Sequence, residues 1–202
     1  MPSRTPFSIG RLEDLLRRQM PPKWQAQYEP SIRARREEAP ARSRPAQVWS
    51  PRLGRTCHVL SQVELTVLLI LLYHPHMFEL QEQRMLAMEP MPHPLHGHPM
   101  AAGLILLPLA GTIAVAERLG YLHLHPHTYA VDQEGRRIPV PIPWIGDFLV
   151  FLKDDKGPYC VNLTVKAETA GFSSPFRSAR PTRNPDKARL NTMARHAIEE
   201  VY

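Results

Sequence analysis

A β-hairpin is predicted by the segment Trp144-Ile-Gly-Asp-Phe-Leu-Val-Phe-Leu-Lys-Asp-Asp-Lys-Gly-Pro-Tyr-Cys-Val-Asn-Leu-Thr-Val-Lys166. An apolar run is followed by a polar turn at 153–158, and the second run alternates and is rich in β-branched residues. Because the ends of antiparallel strands lie side by side, Asp147 and Lys166 are expected to face each other across one end of the sheet.

A helix ahead of this hairpin carries another acid. Ser61-Gln-Val-Glu64 opens a helix that runs from Leu65 to Leu72, and Ser followed three residues later by Glu is typical of a capping box. The cap explains Glu64 structurally. A carboxylate in the first helical turn can also face a metal, so the two interpretations are compatible.

Other elements follow from periodicity and punctuation. Helices are predicted at Ile9–Gln19 (begun by Ser8), at Ala102–Leu119 (buried, with a break near Pro108 and Gly111) and at Asp186–Tyr202, and a strand at Met77–Arg84. Residues 1–50 form a Pro- and Arg-rich arm that wraps over a partner or over the core, and residues 51–202 form the main domain.

Length and composition limit the class of protein. The chain of 202 residues is long enough for one core of about 120–150 residues with extensions. Cys57 and Cys160 have no metal-site spacing, the N-terminus lacks a signal-peptide pattern, and the apolar runs fall short of the about 20 residues that a bilayer needs. We expect a cytoplasmic protein with no membrane association.

Charge is distributed unevenly along the chain. Residues 1–55 hold 12 Lys and Arg against 5 acids (+7), residues 56–176 hold 7 against 11 (−4), and residues 177–202 hold 6 against 3 (+3). Basic ends that grip phosphates and an acidic core that binds a cation would give this pattern. A basic arm that only keeps a terminus solvated would give it equally.

Histidines cluster in the middle of the chain. A His- and Pro-rich insertion at about 88–102 contains His93, His96 and His98, and a second group contains His123, His125 and His127. Either group could bind a transition metal. The Cys partners of a structural zinc site are missing, and a Pro-rich loop lacks rigid support for its ligands. A solvent-exposed insertion is the preferred interpretation.

Three residues occur in an order that resembles the PD-(D/E)xK nuclease core: Glu64 on a helix, Asp147 on a strand and Lys166 on the paired strand. Phosphodiester hydrolysis uses oxygen ligands for Mg²⁺, which lowers the pKa of a bound water, and a nearby cation for the developing charge. As a bare pattern this order also arises by chance.

The surrounding residues resemble the N-terminal endonuclease domain of TnsA, the subunit of heteromeric bacterial transposases that cuts the 5′ ends of the element. The resemblance rests on five segments: Leu60-Ser-Gln-Val-Glu64, the strand ending Glu82-Gln83, Asp147-Phe-Leu-Val150, Thr164-Val-Lys166 and the terminal Ile198-Glu-Glu-Val-Tyr202. It implies an α/β (α+β) fold, with a restriction-endonuclease-like core in which helices flank a central mixed β-sheet.

The resemblance also implies the site and its partners. It assigns Glu64 and Asp147 as metal ligands and Lys166 as the catalytic lysine, with Thr164 as a third ligand position and Glu199 as a weaker candidate. Thr164 departs from the superfamily, which has Glu or Asp there, and from this family, which often has Gln. The implied cofactor is Mg²⁺ (or Mn²⁺), and the implied partners are double-stranded transposon-end DNA, a TnsB-like DDE transposase and a TnsC-like AAA+ regulator.

Three functions remain open on this basis. The preferred one is a metal-dependent endonuclease that cleaves 5′ strands during cut-and-paste DNA transposition. A second is a resolvase-like or restriction-like nuclease from another branch. A third, favoured by Thr164, is a catalytically weak DNA-binding and assembly subunit that docks on the transposase.

Overall fold

The computed structural model describes residues 8–41, 43–172 and 184–202. In chain order, the helices are α1 (Ile9–Gln19), α2 (Gln62–Tyr73), α3 (Thr112–Arg118) and α4 (Pro185–Val201), and the strands are β1 (Ala46–Ser50), β2 (Arg55–Val59), β3 (Met77–Met85), β4 (His127–Val131), β5 (Arg137–Pro141), β6 (Ile145–Asp154) and β7 (Gly157–Leu163).

These elements belong to two compact units. The first unit comprises Met1–Leu86, Pro92–Leu107 and Trp144–Val165, and the second comprises Ala87–Met91, Pro108–Pro143 and Lys166–Tyr202. The α+β composition confirms the predicted class. The predicted mixed sheet is not found among the described strands, because all of their pairings are antiparallel, in sheets of two, three and two strands.

The first unit is built on the three-stranded sheet β3-β6-β7. The predicted hairpin is confirmed as β6–β7: Asp154 pairs with Gly157, which leaves a two-residue turn. Asp154 Oδ1 accepts a hydrogen bond from Lys156 N at 2.8 Å, and Gly157 has φ +121°. This turn chemistry fixes the register of the hairpin.

Helix α2 and the β1–β2 hairpin supply the main core of the first unit. The predicted cap is confirmed, since Ser61 Oγ accepts from Glu64 N at 3.1 Å. Gly54, in the turn between β1 and β2, has φ +63°. Eight buried side chains from this layer and the central sheet form the core: Leu53, Cys57, Val59, Leu68, Met77, Leu80, Phe148 and Val150.

The His- and Pro-rich segment forms part of a second core cluster. Leu95 is fully buried and packs with Ala101, Leu149 and Phe151. His98 is 8% exposed. The expectation of a solvent-exposed insertion is therefore wrong for these residues, whose apolar side chains pack in the first unit.

The predicted helix Ala102–Leu119 is wrong over its first half. Helix α3 begins only at Thr112, because Gly111 has φ +85° and Pro108 precedes it. The residues before it are extended, and Ile105 is 97% exposed. An apolar run does not by itself make a buried helix.

The second unit contains α3, α4 and the β4–β5 hairpin. The hairpin pairs His127–Val131 with Arg137–Pro141 and was not predicted. The terminal helix is confirmed as α4, with Asn184 Oδ1 accepting from Lys187 N at 3.0 Å. None of the helices in the described ranges combines the length and apolar character needed to cross a bilayer.

Candidate functional site

Glu64 is held at the first turn of α2 by donors on both carboxylate oxygens. Oε1 accepts from Ser61 Oγ at 2.8 Å, and Oε2 accepts from Leu60 N at 2.9 Å and from Gln83 Nε2 at 3.0 Å. Only 9% of the residue is exposed. The helix cap therefore fixes the orientation of the candidate ligand.

The register of the central sheet aligns three polar residues. Gln83 lies between the pairs Glu82–Phe148 and Arg84–Gly146, which places it level with Asp147. On the other side of β6 the last pair is Phe148–Leu163, and continuing this register by one residue brings Thr164, just past the end of β7, level with Asp147. The row Gln83, Asp147 and Thr164 crosses one end of the sheet.

Asp147 is oriented by the chain that leaves β7. Its Oδ2 accepts a hydrogen bond from Val165 N at 2.6 Å. Because Gln83 is level with Asp147 and donates to Glu64, the described residues connect Glu64, Gln83, Asp147 and Thr164 in one region of the first unit.

The two remaining predicted residues, Lys166 and Glu199, belong to the second unit. Lys166 directly follows Val165 in the chain, and a Cβ at Gly171 would lie 3.1 Å from its Cβ. Their roles stay predictions.

Glu199 has local partners on α4. Its Oε1 accepts from Arg195 Nε at 2.7 Å, and its Oε2 lies 3.1 Å from His196 Nδ1. Burial lowers the pKa of His196 while the carboxylate opposes that shift. These contacts explain Glu199 as part of an ion-pair cluster on the helix.

Gln83 is the site residue that sequence reasoning did not select. The resemblance includes Gln83 only as the last residue of the strand ending Glu82-Gln83 and gives its amide no role. Its backbone lies at φ +49°, although a residue with a Cβ is uncommon there, and the residue is 3% exposed. A glutamine has no diagnostic spacing, and only the sheet register shows what it faces.

A buried ion pair anchors the strand one residue before Gln83. Arg55 donates from Nη1 and Nη2 to Glu82, at 2.8 and 2.7 Å, and His58 N donates to the same carboxylate at 2.9 Å. Burial opposes the charge of Arg55, but the adjacent Glu82 raises its pKa. The pair fixes the end of β3.

The side-chain oxygens of this region are of the chemical type that a hard divalent cation prefers as ligands. Mg²⁺ keeps several waters and is commonly bound through one or two carboxylates, which Glu64 and Asp147 would supply, with the Thr164 hydroxyl as a weaker oxygen. Within the described ranges no group of three or more His, Cys, Asp or Glu side chains is placed to hold a metal.

Two of the histidines considered as metal ligands have other partners. The ring of His98 packs edge-on against Trp24, with centroids 4.7 Å apart, and His125 Nε2 lies 3.0 Å from Thr112 Oγ1. Burial lowers the pKa of both histidines. These contacts serve packing within each unit.

Comparison with known proteins adds no relative: no family model matches the sequence, and a search of curated proteins finds no match.

Proposed function

We propose that this chain is a metal-dependent DNA endonuclease with a restriction-endonuclease-like core, and that it cuts the 5′ strands at transposon ends as a TnsA-type subunit. The observation that carries the proposal is the row Gln83, Asp147 and Thr164 at one end of the sheet. Gln83 also donates a hydrogen bond to Glu64. The acids come from a helix and a strand in the order that the resemblance implies.

Glu64 and Asp147 would hold the cation, and each is preset by backbone donors. Leu60 N orients Glu64, and Val165 N orients Asp147. Bound Mg²⁺ or Mn²⁺ would supply a polarised phosphate and a water of lowered pKa. Donors that hold a carboxylate in place before the cation arrives reduce the cost of ordering the site.

The remaining roles rest on the resemblance and on charge. Lys166 would stabilise the charge that develops on the attacked phosphate. The arm, in which residues 1–50 hold 10 Lys and Arg against 5 acids (+5), would contact the DNA backbone, and such binding weakens steeply with salt. A DDE transposase and an AAA+ regulator would supply the DNA ends and the timing of the cut.

The proposal is tested by mapping 5′-strand nicks on a supercoiled plasmid that bears the ends, with the transposase and Mg²⁺ or Mn²⁺. Asp147→Asn should lower nicking by roughly 100-fold or more. Asp154→Asn is the matched control: it lies on the same strand at the hairpin turn, and it keeps the side-chain oxygen that accepts from Lys156 N. Absence of nicks with the wild-type protein, or equal nicking by Asp147→Asn, would refute the endonuclease.

Thr164 favours the catalytically weak assembly subunit as a second candidate. A hydroxyl is a poorer cation ligand than a carboxylate, and Thr164 is level with Asp147. Thr164→Glu should raise nicking if the chain is an enzyme limited by this position. An assembly subunit would bind the transposase and DNA with no nicks from either form.

A further inference from the structure

Gln83 has an unusual backbone for a residue inside a strand. Its φ of +49° falls in the left-handed region, which is costly for a residue with a Cβ and persists where surrounding contacts impose it. Glu82 and Arg84 on either side keep their pairing with β6. The strain is therefore local to the residue that is level with Asp147.

Contacts on two sides hold Gln83 in this conformation. Its carbonyl oxygen accepts from Ser31 N at 3.1 Å, and its Nε2 donates to Glu64 Oε2 at 3.0 Å. The first contact comes from the N-terminal arm and the second goes to the candidate metal ligand. One buried residue thus joins the arm to Glu64.

The arm lies along the outer edge of β3, which is an edge strand of its sheet. Four further hydrogen bonds link them: Met85 N to Gln19 Oε1 (3.2 Å), Tyr28 Oη to Glu82 O (2.7 Å), Gln81 Nε2 to Lys23 O (2.9 Å) and Gln25 N to Glu79 Oε2 (2.7 Å). The arm segment 19–31 therefore partners this strand, and its bond from Ser31 N is the one that reaches Gln83 itself.

We infer that Gln83 is a positioning residue that orients Glu64 for cation binding, with its strained backbone held by the arm. The inference rests on the proposed function. The side-chain amide is a donor that carries no charge, so it fixes the carboxylate without neutralising it. Loss of such a support for a metal ligand typically lowers metal affinity by about 10- to 100-fold.

Gln81 provides a matched control on the same strand. It is also a buried glutamine, 1% exposed, but its amide contacts Lys23 O and Arg84 Nη1 rather than Glu64. Replacing either glutamine by leucine removes a buried amide at similar volume. Only Gln83→Leu removes a donor from the candidate ligand.

The test measures binding of Mn²⁺ alone by electron paramagnetic resonance, for the wild type, Gln83→Leu and Gln81→Leu. We expect affinity to fall about 10- to 100-fold in Gln83→Leu and to stay within about threefold of wild type in Gln81→Leu. In plasmid nicking, saturating Mn²⁺ should restore much of the rate of Gln83→Leu, whereas Asp147→Asn should stay inactive. A purely structural role would lower the stability of both leucine variants alike without this dependence on metal concentration.

Two negative results have different meanings. If the wild type binds Mn²⁺ and nicks DNA, and Gln83→Leu binds Mn²⁺ equally well, the positioning role is wrong and the proposed function stands. If the wild type neither binds Mn²⁺ nor nicks, the proposed function fails and the inference falls with it.

Discussion

Removing Arg55 from its buried pair with Glu82 should destabilise the first unit by more than the loss of the Arg55 contacts, because the Glu82 charge would stay buried without a partner. The Glu82 side chain is fully buried and that of Arg55 is 6% exposed. Arg55→Met would leave a buried carboxylate without its cation, which typically costs about 3–5 kcal/mol. The free energy of unfolding should fall by this amount.

Neutralising the buried carboxylate should restore part of the stability that Arg55→Met loses. Glu82→Gln in the Arg55→Met background removes the orphaned charge but keeps a side-chain oxygen that can accept from His58 N, 2.9 Å from the carboxylate in the wild type. We expect the double variant to recover about 2 kcal/mol relative to Arg55→Met, because an uncharged amide is far less costly to bury than a carboxylate.

Urea unfolding followed by tryptophan fluorescence measures the free energy of unfolding of the first unit for both Arg55→Met and the double variant. All three tryptophans, Trp24, Trp49 and Trp144, belong to the first unit. If Arg55→Met costs less than about 1 kcal/mol, or if the double variant is no more stable than Arg55→Met, the reasoning about the buried charge is refuted.

Two further predictions concern a buried acid and a constrained glycine. Burial raises the pKa of Glu79 from 4.5 to about 7, so the folded state holds a proton that the unfolded state has released between these values. The free energy of unfolding should therefore decrease as the pH rises from 4.5 towards 7, by up to about 3 kcal/mol, and Glu79→Gln should flatten the dependence in urea titrations; an unchanged slope would contradict this. In the second unit, a Cβ at Gly111 would lie 2.5 Å from Met88 O, whereas one at Gly120, also at positive φ, meets nothing within 4 Å. Gly120→Ala should cost about 1 kcal/mol and Gly111→Ala clearly more, measured by far-ultraviolet circular dichroism melts; equal costs would show that the close contact relaxes freely.

Local chemistry predicted several elements well. Helix α1 was predicted with its observed bounds, because Ser8 supplies an N-cap whose oxygen accepts from Arg11 N at 3.2 Å. The β6–β7 hairpin followed from two apolar runs around a turn. In each case the residues that specify the element lie within or directly beside it, so a sequence pattern contains the necessary information.

Prediction failed where tertiary contacts or single backbone constraints decide. Gly111 and Pro108 confine α3 to a short helix, although the residues before it are apolar enough for a longer one. Strand β5 contains Pro139 and Pro141, which argue against a strand, and it is nonetheless paired with β4. The burial of Leu95 depends on Phe151, which is distant in sequence.

The candidate site was only partly predictable, because its residue types are visible in the sequence and their placement is not. The acids Glu64 and Asp147 stand out by type and order, but their placement depends on sheet register. The level of Thr164 with Asp147 follows from the β6–β7 pairing, and the level of Gln83 follows from the β3–β6 pairing, which joins residues more than sixty positions apart. No spacing rule in the sequence gives that second alignment.

The structural and functional interpretations of Glu64 support each other. Donors from Leu60 and Ser61, at the start of the helix, and from Gln83 fix the carboxylate. A free glutamate side chain loses about 1.5–2 kcal/mol of rotamer entropy when it is ordered, and here folding has already ordered it. Two of these donors belong to the cap, whereas Gln83 comes from the sheet level with Asp147. The cap therefore sets the conformation of Glu64, and Gln83 links its carboxylate to the sheet at the position level with Asp147, which is the arrangement that the proposed cation site uses.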